Sequence, residues 1–149
     1  MENISLLEPV PEKSHKSQVL AVVIGLVVVA LVAILYFTLR YYPEKKAVNQ
    51  FLEAVVAGNT DKAYELWKPT TSYRKQDFLA DWGPSGYYGP VKSFKIVDAS
   101  RPRNSNAVAV TVALSPYSPM PSASGEKSDK TRTVTLWVSP SDKSLSFPP

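Results

Sequence analysis

The chain contains no cysteine, a single histidine and six glycines in 149 residues. Each shortage closes a route. Without cysteine there is no disulfide, no thiol nucleophile and no thiolate metal site. The one imidazole, His15, precedes the long apolar run, so no Ser-His-Asp triad can be assembled in the region that follows it, and a structural zinc site is ruled out. Neither GxxxxGK[ST] nor GxGxxG occurs, so no phosphate cradle is signalled. No internal repeat is present. No cofactor and no metal are expected.

One long apolar run is present. The 21 residues from Val19 to Leu39 carry no charge. As a helix they would extend about 32 Å, against a hydrocarbon core of about 30 Å. Such a helix satisfies its own backbone groups inside lipid. It lacks the polar stripe of a core helix in a soluble domain. It also exceeds the apolar stretch of about 7–15 residues in a cleavable signal, and no small-x-small site follows it. A transmembrane helix over 18–40 is therefore expected, with the bilayer as the chain's first partner. Tyr36, Tyr41 and Tyr42 lie at its far end, where aromatic rings favour the interface. Pro43 is expected to stop or kink it. Lys13 and Lys16 before the run and Arg40, Lys45 and Lys46 after it give a nearly balanced positive-inside count. The region that follows is long, and long domains translocate with little regard to charge. The orientation expected is N-terminus in the cytoplasm and C-terminal domain outside, in the cell membrane. Lys45 and Lys46 are placed to attract anionic lipid head groups.

The remainder divides simply. Residues 1–17, with Pro9, Pro11 and no apolar period, read as a disordered tail. Residues 44–149 suffice for one small domain. From residue 41 onward, 14 Lys and Arg stand against 10 Asp and Glu. The resulting positive charges are scattered, with Arg101 and Arg103 the only tight pair, which argues against nucleic acid as a partner.

Ala47 to Ala57 has Val48, Phe51, Leu52, Val55 and Val56 at helical spacing, and Gly58 as a stop. Asn59 or Thr60 can cap a second helix, Asp61 to Trp67, with Ala63, Leu66 and Trp67 inward. Thr71 or Ser72 can cap a third, Tyr73 to Trp82, with Phe78, Leu79 and Trp82 as its apolar face. A glycine- and proline-rich turn runs from Gly83 to Pro90. The period then changes to two. Strands are predicted at Val91–Ala99, Ala107–Ser115 and Thr131–Ser139, with a short edge strand at Leu145–Phe147. Val108, Val110, Val112 and Leu114 share one face of the second. Val134, Leu136 and Val138 share one face of the third, and Thr133, Thr135 and Trp137 the other. Pro116 to Lys130 is expected to be a long, mobile hairpin loop. Helices first and antiparallel strands after predict an α+β domain with helices on one face of the sheet.

The stretch Phe51-Leu52-Glu53-Ala54-Val55-Val56-Ala57-Gly58-Asn59, followed by Asp61-Lys62-Ala63-Tyr64-Glu65-Leu66-Trp67, resembles the opening of the NTF2-like (cystatin-like α+β cone) superfamily, in particular its small membrane-anchored bacterial members. The resemblance covers about residues 44–149. It implies a curved sheet wrapped on a long helix, a pocket at the open end of the cone, and frequent dimers. The sheet here looks shorter than the family's, and the Pro-Ser insertion is atypical of it.

Acids and tyrosines are what remain for chemistry. Asp77 and Asp81 are four apart and would share a helix face, as a cation pair or an acid–base pair. A solvated helix face explains them as well. Asp98 and the tyrosines are of the types used by an Asp/Tyr isomerase, but no spacing links them. The aromatic residues are the better guide. Tyr64, Trp67, Trp82, Tyr87, Tyr88 and Trp137 are the candidate ligand-binding residues, although the ordinary role of the three tryptophans is core between helices and sheet. Tyr87 and Tyr88, between Gly86 and Gly89, are harder to place in a core. As neighbours in an extended segment they would point oppositely. The function expected is a membrane-anchored domain that binds a partner protein, a second copy or a small apolar ligand, without catalysis. The alternatives are an assembly factor for a membrane (respiratory) complex and an Asp/Tyr isomerase-like enzyme.

Overall fold

The computed structural model describes residues 14–122, 124–125 and 128–149. The chain divides after Arg40 into two compact units, the second being Tyr41–Pro149.

The first unit is α1 (His15–Leu39), 25 residues with none buried. Its mean hydropathy reaches 3.2 over an 18-residue window, which is long and apolar enough to cross a bilayer. The helix opens three residues ahead of the expected 18. Of the tail expected to be disordered, residues 1–13 lie outside the described residues, and His15 to Ser17 are already helical.

In the second unit Pro43 starts a helix rather than ending one. It sits in the first turn of α2 (Tyr42–Val56), where a missing N–H costs nothing and the fixed φ is already helical. That turn carries α2 five residues further forward than its apolar period predicts. Val48, Phe51, Leu52 and Ala54 form its buried face. Gly58 ends it at φ +73°. The Gly58 amide donates to the Val55 carbonyl at 3.1 Å and the Asn59 amide to that of Ala54 at 3.0 Å, a Schellman closure. Asn59 then caps α3 (Thr60–Trp67), its side-chain oxygen accepting from the Lys62 amide at 3.2 Å. Neither Thr71 nor Ser72 caps α4 (Lys75–Trp82). Arg74 holds the cap position, and the Asp77 carboxylate accepts the Arg74 amide at 2.9 Å. Phe78 and Trp82 are buried as expected, whereas Leu79 is 38% exposed.

The sheet is antiparallel and open, in the order β1 (Ser93–Ser100), β2 (Val108–Ser115), β3 (Arg132–Val138), β4 (Leu145–Ser146). Val108, Val110, Val112 and Leu114 of β2, with Val134, Leu136 and Val138 of β3, are buried against the helices. β1 keeps that face only by breaking its alternation. Phe94 and Ile96 lie opposite Leu114 and Val112. A bulge then places Val97 outward, 60% exposed, so that Ala99 returns inward opposite Val110. Val91 is buried ahead of the strand rather than within it. The β2–β3 connection contains a short 3-10 turn, Ser128–Lys130. The domain is thus α+β, with α2, α3 and α4 sharing one apolar core with the sheet.

Candidate functional site

The core is aromatic at one end. Phe51 of α2 meets Trp67 of α3 at 5.2 Å between ring centroids and Trp82 of α4 at 5.0 Å, edge to face. Phe78 closes the group from α4, 6.1 Å from Phe51. Phe147, just past β4, lies parallel to Trp82 at 6.2 Å and 5.1 Å from Trp67. Such pairs add about 0.5–1.5 kcal/mol each beyond the area they bury. Tyr64 and Tyr73 extend the group through α3 and the α3–α4 turn, with Tyr64 against Phe78 and Tyr73 stacked on Trp67.

The turn after α4 carries this group to the surface. The amides of Tyr87 and Tyr88 donate back to the carbonyls of Ala80 and Asp81, each at 2.8 Å. Those carbonyls belong to the last turn of α4 and would otherwise lack a partner. The fold-back requires Gly89, where a Cβ would lie 2.1 Å from the Gly83 carbonyl oxygen. It also separates the two tyrosines. Tyr88 stacks on Trp82 at 4.8 Å and lies 5.8 Å from Phe147, half-buried, and its burial pushes the phenol pKa up. Tyr87 points outward, 67% exposed. The Arg132 guanidinium lies 4.9 Å above the Tyr87 ring and donates to the Tyr87 carbonyl.

Beside Tyr88 opens a cleft of about 380 Å³, lined by Tyr88, Gly89, Pro90, Leu114, Ser115, Pro116, Asp129, Lys130 and Arg132. Ser115 is a buried polar residue whose hydroxyl accepts the Tyr117 amide at 3.1 Å. The lining therefore mixes a ring, two prolines and a leucine with Ser115 and the charged Asp129, Lys130 and Arg132. Pro90 also lines a smaller cavity of about 100 Å³ that reaches Trp82, Thr60 and Val91. The Trp82 indole nitrogen is buried with no hydrogen-bond acceptor.

Of the six candidate residues, Tyr64, Trp67, Trp82 and Tyr88 join one aromatic group, and Tyr87 adjoins Tyr88 at 4.8 Å. Trp67 and Trp82 are 3% and 2% exposed and serve as core, leaving Tyr87 and Tyr88 at the surface. Trp137 does not belong with them, contrary to its expected place between helices and sheet. It alternates with buried Leu136 and Val138, so it lies on the face shared by Thr133 and Thr135, opposite Ala109 and beside Ser146. The residues missed were Phe147, Arg132, Lys130 and Ser115. Nothing in the spacing of these residues signals that the β2–β3 hairpin meets the Gly83–Pro90 turn.

The acids have other occupations. Asp77 receives the α4 cap amide. Asp81 accepts the Tyr73 hydroxyl at 2.6 Å, while the Tyr64 hydroxyl donates to the Tyr73 carbonyl at 3.1 Å. Burial, and then the Asp81 carboxylate, push the Tyr73 phenol pKa far above its ordinary 10. Among the described residues no group of three His, Asp or Glu is placed to hold a metal. Comparison with protein-family models, curated proteins and solved structures finds no match to this chain.

Proposed function

We propose that this chain is a single-pass membrane protein whose α+β domain, of NTF2-like type, is a binding module outside the cytoplasm. Its ligand is an apolar segment of a partner protein, or a small apolar molecule, seated in the cleft beside Tyr88. The observation that carries this reading is the continuity of the aromatic group from core to cleft. Tyr88 stacks on buried Trp82 and lines a cavity of about 380 Å³. Ligand sites are concavities of this size in which apolar side chains stand beside polar groups at fixed places. Lys130 and Arg132 would meet an acidic group on the ligand. Arg132 is already held by Tyr87, so little freedom is lost on binding.

The test is a titration of the full chain in lipid nanodiscs with phenylbutyrate, an apolar ring with one carboxylate, followed by amide and indole NMR. Shifts are expected at Tyr88, Leu114, Ser115 and Arg132. Arg132→Gln, which leaves the core untouched, should weaken binding by about tenfold, the loss of one charge-assisted contact. Shifts gathered instead on Thr111, Thr135 and Trp137 would move the site to the other face of the sheet and overturn the assignment.

A further inference from the structure

A second cavity, remote in sequence from the cleft, collects positive charge where the domain follows the membrane segment. It holds about 340 Å³ and is lined by Pro43, Lys46, Ala47 and Gln50 of α2, Leu66 and Lys68 at the end of α3, and Lys143 of the β3–β4 turn. Two of its lysines are fixed by unusual backbone. Lys68 and Lys143 both adopt left-handed conformations, at φ +52° and +59°. The Lys68 ammonium donates to the Asp142 carbonyl, tying the α3 terminus to the β3–β4 turn. The Lys143 ammonium donates to the Pro140 carbonyl and lies 3.5 Å from the carboxylate of Glu44, a buried acid. The Asp142 carboxylate is turned to the Ser144 amide at 3.0 Å. Three lysines therefore line this cavity, the ammonium groups of Lys68 and Lys143 held by backbone carbonyls, with one carboxylate, Glu44, beside Lys143. Even with Asp142 counted, the balance stays positive.

We infer that this cavity binds the head group of an anionic phospholipid. The inference rests on the reading of α1 as a membrane span. Leu39, the last residue of α1, and Pro43, on the cavity wall, are four residues apart, so the chain cannot carry them more than about 14 Å from each other. The polar head-group layer begins where the hydrocarbon ends. A basic pocket on a domain tethered this closely is attracted to the anionic head groups that its leaflet carries, over about a Debye length. The lysines present a charge that a phosphodiester neutralises. Pro43, Ala47 and Leu66 offer an apolar wall for the glycerol and the first carbons of the chains.

The experiment places the full chain in nanodiscs of phosphatidylcholine, or of phosphatidylcholine with one third phosphatidylglycerol, and follows amine-reactive labelling of each lysine by mass spectrometry. With phosphatidylglycerol, Lys46, Lys68 and Lys143 should label about fivefold more slowly, while Lys95, exposed on β1, is unchanged. Lys68→Gln, an exposed substitution, should restore most of the labelling rate at Lys46. Soluble glycerol phosphate added to phosphatidylcholine discs should not protect these lysines. If it does, the site takes a free phosphate ester and the lipid assignment falls. Equal labelling in the two lipids overturns the site outright. A chain that elutes without any disc refutes the span itself, and is told apart from the other failures by the absence of lipid in the protein peak.

Discussion

At the scale of single residues, one hydrogen bond ties two aromatic side chains to pH. Tyr73 gives its hydroxyl to Asp81 at 2.6 Å and is half-buried against Trp67. Burial first, and the neighbouring carboxylate second, raise its pKa. A phenol with a raised folded pKa stays protonated in the native state after the unfolded chain has begun to ionise. The stability it contributes is thus complete below pH ~10 and is lost as the pH climbs beyond that toward the folded value. Urea unfolding from pH 8 to 11 should show stability falling above about 10, with a shallower fall in Tyr73→Phe. An identical slope in the variant would show that Tyr73 is not the group responsible. The same scale separates what was legible in the sequence from what was not. Val48, Phe51, Leu52, Phe78 and the alternating valines of β2 and β3 follow from periodicity alone, because their burial depends only on the period of the element that carries them. Leu79 was misjudged because an eight-residue helix leaves its apolar stripe too short to fix which neighbour of Phe78 turns inward.

At the scale of elements, the joints decide where the site lies. The Schellman closure at Gly58 and the fold-back at Gly89 both use glycine, for different reasons. Gly58 occupies φ +73° with open space around it, so Gly58→Ala should cost about 1 kcal/mol, with the fold otherwise unchanged. At Gly89 a methyl group would strike the Gly83 carbonyl at 2.1 Å. Gly89→Ala should therefore cost more than Gly58→Ala and displace Tyr88 from Trp82. Both effects are measurable, the first by urea unfolding and the second as a change in near-ultraviolet circular dichroism. Equal costs with unchanged dichroism would show that the turn has slack. These joints were only half legible. The glycines and prolines of 83–90 mark a turn, but which carbonyls it returns to is a matter of three-dimensional closure. The bulge at Val97 was likewise hidden. Ile96 and Val97 are adjacent apolar residues, and period-two counting gives no reason to discard one of them until the register with Val112 and Thr111 is known.

At the scale of the whole molecule, the chain divides into two units of different composition. α1 buries none of its residues and is long and apolar enough to cross a membrane. Among the described residues, all seventeen of the buried apolar core belong to Tyr41–Pro149. The order of helices and strands, and hence the α+β class, was written in the change of period after Pro90. The cleft was not, since Leu114, Ser115, Lys130 and Arg132 reach Tyr88 only when the β2–β3 hairpin folds beside the α4 turn. The division into units makes a direct demand on the anchor. Membranes carrying either the full chain or residues 41–149 are washed in alkaline carbonate and centrifuged at high speed. The full chain is expected to remain in the pellet with the lipid, and residues 41–149 to be released into the supernatant. Release of the full chain by carbonate would contradict a membrane-spanning α1, and with it the placement of everything the domain is proposed to bind.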